Sequence, residues 1–412
     1  MIGRFARYAE KRWGFLDMLG QVRDSRDNPP VPTSAVFLSV FGMHAVRHGS
    51  INALEQQLQI PGRWDPWVGP IKPSADTVAY ATERFDPEPL RKILADAARL
   101  AKRKKAFRRL YRDGYWVGAI DGIETYKSKK GCCSTCCERN LGTEEEPIIE
   151  YYHREVVLQI VGVTPACILD EEPILAGETE TTAALRLLVR FHARMPRFLD
   201  VLTMDAFYLQ APFAKRALDL GYGLVTILKQ ENRDLYKDAD GLFEMTQSEK
   251  ISLVNGTAEV WDVKDLTSWI QLGRPVRVVR ELKKCLKRER VAKQWVEREV
   301  IEDWRWAVVF PDAQQPPTDL IRCWGHARWD EETRGFGELT KHWHLDHCYH
   351  HHPVAMLSIR LILYLAFFLT TLFFQRNLKP AFSAGKTRLH LAGLLADGFV
   401  LGGVSSFWEN PP

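Results

Sequence analysis

The chain has 412 residues, enough for about two or three domains or for one large core with insertions. Its residues are 46% apolar and 26% charged, which is typical of a folded globular protein and excludes a disordered one. The formal net charge of +4 neither indicates nor excludes a nucleic-acid partner, so local basic patches decide that question. The first residues lack the apolar core of a signal peptide, and four of the eight cysteines cluster at 132 to 137. We therefore expect a cytoplasmic protein with reduced thiols.

Residues 1 to 107 predict a helical N-terminal region. An apolar run covers 36–46, a capped segment begins at 50, and a third helical pattern begins at 87. The last of these runs into four basic residues, Lys102, Arg103, Lys104 and Lys105. Such a run either contacts DNA phosphates or forms a solvated helix face, and the residues alone leave both interpretations open.

Residues 108 to 229 alternate between strand and helix patterns. We predict a strand from 116 that ends at Asp121, a strand or hairpin arm over 148–162, a strand over 198–205 that ends at Asp205, and a buried strand over 223–229. Helical patterns at 179–192 and 211–220 lie between them. This alternation is typical of an α/β fold with parallel strand pairing.

Residues 230 to 325 contain short alternating runs separated by polar stretches, which predicts a mostly β insertion with a second basic segment at 280–290. The chain from 326 to 412 returns to helical patterns. Within it, 354–374 is apolar except for Arg360 and is long enough to cross a membrane. We favour a buried helix and no membrane, because no second span exists and the preceding segment is rich in histidine and acid.

Three acidic residues are candidates for one metal site. Asp121 and Asp205 each end a strand pattern, and Glu332 lies in a polar segment that precedes the apolar helix. On a helix, Arg328 and Glu332 fall on the same face. Taken singly, each aspartate also suits a turn or a cap. Taken together, three carboxylates suit a pair of Mg²⁺ or Mn²⁺ ions that act in phosphoryl transfer.

The segments 119–125, 202–212 and 328–339 resemble the three acidic motifs of bacterial insertion-sequence DDE transposases that carry a β-rich insertion. The resemblance covers roughly 110–377. It implies an RNase H-like mixed sheet flanked by helices, with its first part at 108–229, the insertion at 230–325, and the C-terminal helices and tail at 326–412. The helical region 1–107 would bind the DNA ends.

The same resemblance implies an activity and roles for single residues. Such enzymes use Mg²⁺ or Mn²⁺ to cut double-stranded DNA at transposon ends and join the 3′ hydroxyl to target DNA, commonly as a homodimer in the synaptic complex. Asp121, Asp205 and Glu332 would be the catalytic metal ligands. Arg328 would contact a DNA phosphate or orient a carboxylate, and Lys229 would be a further DNA contact.

The third motif departs from the family pattern. Glu331 precedes Glu332 where the family usually has isoleucine, so Glu331 is a rival ligand, although Phe336 four residues on favours Glu332. The family's tyrosine and lysine positions are occupied here by Gly325 and Leu339, so those two roles do not carry over. Lys341 is the nearest basic substitute.

Three other groups have open interpretations. Cys133 and Cys136 form half of a possible zinc site that Cys167 or a nearby histidine would complete, or else a redox pair or a structural turn. The histidines between 342 and 352 suit either a metal site, since His347 and His351 are four residues apart, or a polar connection between helices, in which His344 or His347 would touch a DNA phosphate. Glu178 and Glu180 suit either a helix start or a layer of acids behind the metals. Alternatives to a transposase are a metal-dependent nuclease without strand transfer and an inactive DNA-binding derivative.

Overall fold

A computed structural model describes residues 1–110, 114–131, 133–229, 231, 233–291, 294–312 and 315–400. The N-terminal α-helices are α1 Ile2–Trp13, α2 Phe15–Leu19, α3 Thr33–Ala45, α4 Ile51–Leu58, α5 Asp65–Val68, α6 Ala75–Thr82 and α7 Pro87–Arg103. The later ones are α8 Glu180–Arg194, α9 Ala211–Asp219, α10 Asp234–Met245, α11 Thr318–Ala327, α12 Gly337–Trp343, α13 Pro353–Arg376, α14 Pro380–Ser383 and α15 Arg388–Val400. A 3₁₀ turn covers Ala206–Tyr208 and a π-helix covers Glu331–Phe336. The predicted tail at 401–412 lies outside the described residues.

The strands are β1 Arg108–Arg109, β2 Val117–Ser128, β3 Cys137–Asn140, β4 Ile149–Val161, β5 Val163–Thr164, β6 Cys167–Pro173, β7 Val201–Met204, β8 Gly223–Ile227, β9 Glu249–Leu253, β10 Gly256–Leu266, β11 Val276–Val291 and β12 Gln294–Val309. In the described residues, β1 and β5 form a small ribbon and the other strands form one mixed sheet.

The centre of the sheet has the order β6-β4-β2-β7-β8. Strands β2, β4 and β6 pair antiparallel, whereas β2, β7 and β8 run parallel. Helix α8 connects β6 to β7, and α9 connects β7 to β8. An antiparallel meander followed by two parallel strands with helical connections is the RNase H-like arrangement, so the predicted fold class is confirmed.

Side chains alternate across this sheet and pack helices on both faces. Leu202 of β7 belongs to the apolar core that includes α8, α9 and α13, whereas Val201 belongs to a second cluster with Ile321 and Trp324 of α11. This alternation follows from the two-residue period of a strand. Both faces of the sheet are therefore covered, and the part that a ligand can reach is the edge formed by the ends of its strands.

Strand β2 does not end at Asp121, as the sequence pattern predicts, but continues to Ser128. Its parallel partner β7 ends at Met204, which pairs with Ile120, while β4 continues to pair with β2 as far as Ser128. The sequence prediction of the strand end is wrong because pairing with β4 supports the polar residues that follow. Asp121 lies at the point where β2 extends beyond its parallel neighbour.

The β-rich segment continues the same sheet. Strand β12 pairs antiparallel with β8, and β11, β10 and β9 follow outward. Helix α10 precedes these strands, and helix α11 crosses the boundary predicted at residue 325. Segment 230–325 is thus joined to the core by strand pairing, not only by its chain ends.

The N-terminal helices cover the apolar helix α13. Helices α1, α3, α6 and α7 contact α13, whose other neighbours include β6. Helix α13 is long and apolar enough to cross a membrane, and its most apolar stretch is fully buried within the described structure. Its charged residue Arg360 pairs with Glu155 at 2.8 Å and with Glu171 at 2.8 Å. A helix with this environment has the position of a core helix.

Candidate active site

Asp121 and Asp205 lie side by side at the edge of the sheet. Ile120 pairs with Met204 in parallel register, so the two aspartates directly follow paired residues. Asp205 caps the 3₁₀ turn, with its Oδ1 accepting a hydrogen bond from the Phe207 amide at 2.8 Å. Burial raises the pKa of Asp121 to about 6, Arg328 opposes this, and the negative charge of Asp205 adds to it. Two carboxylates from residues far apart in the chain therefore share one site.

Arg328 connects Glu332 to this pair. Its Nη1 donates to Asp121 Oδ2 at 3.0 Å, and its Nη2 donates to Glu332 Oε1 at 2.7 Å. The guanidinium is buried, with 4% of the residue exposed. The planar fork of arginine suits two carboxylates at once, which a lysine cannot bridge in the same way. Of the two roles predicted for Arg328, this geometry corresponds to orienting the carboxylates.

Glu331, the rival of Glu332, lies deeper in the protein. It is fully buried, and neither of its carboxylate oxygens has a hydrogen-bond partner among the residues that the structure describes. Burial raises its pKa well above the usual value, and the charge of Asp121 adds to this effect. The π-helix that begins at Glu331 therefore turns one glutamate inward, while Glu332 remains about one third exposed and in contact with Arg328.

Glu180 forms a fourth acidic group at the site. Its Oε1 accepts a hydrogen bond from the Tyr208 hydroxyl at 2.8 Å, and its Oε2 pairs with Arg154. A Cβ atom on Gly122, next to Asp121, would lie 2.5 Å from Glu180 Oε2, so a larger residue there would displace the Glu180 carboxylate from its contacts. Tyr208 was not singled out from the sequence, although its position three residues after Asp205 places it on the same turn.

Glu178, by contrast, turns away from the site and pairs with Arg186. Of the two glutamates considered as a layer behind the metals, only Glu180 lies beside Asp121.

The donor set fits a hard divalent cation. Asp121, Asp205 and Glu332 offer carboxylate oxygens, which Mg²⁺ and Mn²⁺ prefer, and the mutual repulsion of neighbouring acids is what a cation relieves. In the described part of the chain, the side chains whose ligand atoms all lie within 4.8 Å of one another are two cysteines and two histidines, not these three acids. The three acids are thus convergent but more widely spaced than that set.

The predicted DNA-contacting lysines lie in different environments. Lys229 is exposed and follows β8, whose Thr226 pairs with Met204, so it lies at the same sheet edge as Asp205. Lys341 is exposed on α12. Lys102 is half-buried, because its ammonium donates to the Phe198 carbonyl at 2.6 Å and lies over the Trp116 ring. The Lys102 ammonium is therefore occupied by contacts within the protein.

The remaining basic residues of that run lie at the end of α7. Arg103, Lys104 and Lys105 are exposed, and Lys104 donates to the Arg12 carbonyl. The second basic segment, 280–290, is part of the β11–β12 hairpin. Acidic residues of β12 neutralise much of its charge: Glu302 pairs with Lys287 and Glu297 pairs with Arg288.

No protein-family model and no curated protein matches the chain. Among solved structures, the chain is similar to a piggyBac transposase in a synaptic complex with hairpin DNA. The identity is 11% and the TM-score is 0.48, with 100% of this chain and 83% of the other chain covered. A similarity of this size does not identify a function, so support for one has to come from the geometry of the site.

Proposed function

We propose that the protein is a DDE-type DNA transposase that cuts double-stranded DNA at the ends of its element and joins them to a target. The observation that carries this proposal is that Asp205 lies beside Asp121 at one edge of an RNase H-like sheet, and that Arg328 joins Asp121 to Glu332. Three carboxylates brought together at one edge of a sheet are an arrangement suited to metal-dependent phosphoryl transfer.

Asp121, Asp205 and Glu332 would hold Mg²⁺ or Mn²⁺ through their carboxylate oxygens. When bound, the ions activate the attacking oxygen and stabilise the leaving oxygen of the phosphodiester. Arg328 fixes the orientation of Asp121 and Glu332 towards each other. The Tyr208 hydroxyl and Arg154 occupy both oxygens of Glu180, so this acid stays fixed behind Asp121.

DNA would approach the sheet edge that carries the acids. Lys229 is exposed at this edge, and Lys341 is exposed on the helix that follows the π-helix, so both suit contacts with phosphates. Arg103, Lys104 and Lys105 remain candidates for contacts with the ends. We further propose a homodimer on the paired ends, because two ends have to be joined in concert, and a cytoplasmic location in a bacterium.

The test uses a donor plasmid that carries the coding sequence with its flanking DNA on both sides, so that the ends need not be known. Purified protein, donor and a second, target plasmid are incubated with Mg²⁺. We expect cleaved donor and joined products, and loss of both with Asp205→Asn or Glu332→Gln. Asp346→Asn is the matched control, since Asp346 is an exposed acid outside the site.

Three outcomes separate the candidate functions. Joined products support a transposase, whereas cut donor without joining supports a nuclease on the same core. If no cleavage occurs but the protein binds the donor ends, it is an inactive DNA-binding derivative. Cleavage that persists in Asp205→Asn would show that the carboxylates are not catalytic and would refute the proposal.

A further inference from the structure

A second set of metal-ligand side chains lies further along the β2–β4 pair, where Tyr126 of β2 pairs with His153 of β4. Cys133 and Cys136 lie in the loop between β2 and β3, His153 lies on β4, and His351 lies just before α13. In the described part of the chain, these four side chains form the group whose ligand atoms all lie within 4.8 Å of one another. We propose that they bind one structural Zn²⁺ ion. The proposal does not depend on the proposed transposase activity.

The distances match a tetrahedral zinc site. With zinc–sulfur bonds of about 2.3 Å and zinc–nitrogen bonds of about 2.0–2.1 Å, a tetrahedron has edges of about 3.8 Å between sulfurs, about 3.3 Å between nitrogens and about 3.5 Å between unlike atoms. Here the Cys133 and Cys136 Sγ atoms are 3.8 Å apart, and the His153 and His351 Nε2 atoms are 3.2 Å apart.

The edges between unlike atoms agree as well. His153 Nε2 lies 3.4 Å from Cys133 Sγ and 3.3 Å from Cys136 Sγ, and His351 Nε2 lies 3.4 Å from Cys136 Sγ. The remaining edge, from Cys133 to His351, is within 4.8 Å. Five of the six distances between the ligand atoms therefore match those of a tetrahedral zinc site.

The surroundings favour metal binding over a disulfide. The two sulfurs are 3.8 Å apart, far from the distance of about 2.05 Å in a disulfide. The Cys133 amide donates to Cys136 Sγ at 3.2 Å, a contact that stabilises a thiolate. Cys136 and His153 are buried. The Cys167 alternative does not apply, because that thiol is fully buried on β6 and is not a member of the set.

Only one histidine of the 342–352 segment belongs to the set. His350 is directed to Glu83 instead, and the ring of His347 packs edge-on against Tyr349. The ring of His351 lies 4.4 Å from that of Tyr126 on β2, which holds it against the sheet.

The position of the site indicates its role. Two cysteines and two histidines fill all four positions of a tetrahedral ion, which is typical of structural zinc and leaves no place for a substrate. The ion would tie the β2–β3 loop and β4 to the start of α13. The same β2 carries Asp121, and α13 follows the segment that carries Glu332. Zinc would therefore fix the β2–β4 pair, which carries Asp121, to the start of α13.

The test measures metal directly in the full chain, made with a tag that contains no histidine and purified from zinc-supplemented cells. We expect one zinc ion per chain by mass spectrometry, and its loss in Cys136→Ser and in His351→Ala. The matched controls Cys137→Ser and His347→Ala, from the same loop and segment, should keep it. Asp205→Asn should also keep it, which separates this site from the proposed catalytic one.

A spectroscopic measurement covers the case in which the two loss variants fail to fold. Replacement of zinc by Co²⁺ in the wild-type protein should give the absorption of a tetrahedral ion with two thiolate ligands. His351→Cys should retain the metal and add thiolate character to the Co²⁺ spectrum. Little or no zinc in the wild-type protein, an octahedral Co²⁺ spectrum, or full zinc content in Cys136→Ser would each overturn the proposal.

Discussion

Replacement of Arg328 tests whether the candidate site depends on its guanidinium. In Arg328→Met, Asp121 and Glu332 lose the group that joins them, and the side chain keeps a similar length. In Arg328→Lys, one charge remains, but an ammonium offers a point contact and cannot span both carboxylates in the same geometry. The first variant should therefore lose more than the second.

The magnitude follows from the two contacts. The bond to Asp121 is charge-assisted and largely buried, so we assign it about 1.5–3 kcal/mol. The Glu332 side chain is 37% exposed, and screening by solvent reduces its contribution to about 1 kcal/mol or less. Loss of both contacts is then about 2–4 kcal/mol, which corresponds to roughly 30- to 1,000-fold in rate. Arg328→Lys, which keeps one contact, should lose roughly tenfold.

The assay is single-turnover cleavage of the donor plasmid at saturating protein, with thermal unfolding measured in parallel. If Arg328 orients the acids, the cleavage rate falls while DNA affinity and its dependence on salt stay unchanged. If it binds a phosphate instead, affinity falls and the slope of log K against log salt decreases by about one. Cleavage by Arg328→Met within threefold of wild type, with the protein folded, would refute the positioning role.

Other buried charges lead to further predictions. Glu331→Gln should keep donor cleavage, because burial raises the pKa of Glu331 well above its usual value and an amide resembles the neutral acid. Glu332→Gln should abolish cleavage. The reverse result would make Glu331 the metal ligand. Arg360→Met should destabilise the protein by about 3–5 kcal/mol in urea unfolding, because it leaves Glu155 and Glu171 buried without the arginine that pairs with both; a loss below about 1 kcal/mol would contradict this. Burial raises the pKa of Glu281, but hydrogen bonds from His326 and Arg322 lower it to about 2. The stabilisation from this depressed pKa is fully present above pH 4.5 and is lost as the pH falls to about 2. Glu281→Gln should therefore reduce the change in the free energy of unfolding across this pH range by about 3 kcal/mol. An unchanged pH profile would argue against this ion pair.

Much of the fold was predictable because its signals are local. The strand predicted at 223–229 is observed at Gly223–Ile227, and the helix predicted at 211–220 is observed at Ala211–Asp219. In both, the apolar pattern has the period of the element that forms. The apolar segment at 354–374 likewise forms α13, since an apolar run of this length has to be buried somewhere.

The details of the candidate site depend on pairing between distant segments. Strand β2 continues through Asp121 because β4 pairs with it, and that partner begins more than twenty residues later. The π-helix turns Glu331 inward and leaves Glu332 beside Arg328, a choice that the motif left open. Neither result follows from local propensity, because each depends on contacts that exist only after the sheet has formed.

The sequence by itself determined the alternation of strands and helices, the three acidic candidates and the single charge within the apolar segment 354–374, because periodicity and composition act within a few residues of the chain. Only the tertiary structure decided that segment 249–309 extends the same sheet, that Lys102 faces the core, and that His153 and His351 join the cysteine pair. These outcomes require side chains from distant segments to meet, and it is burial and strand register, not the order of residues, that bring them together.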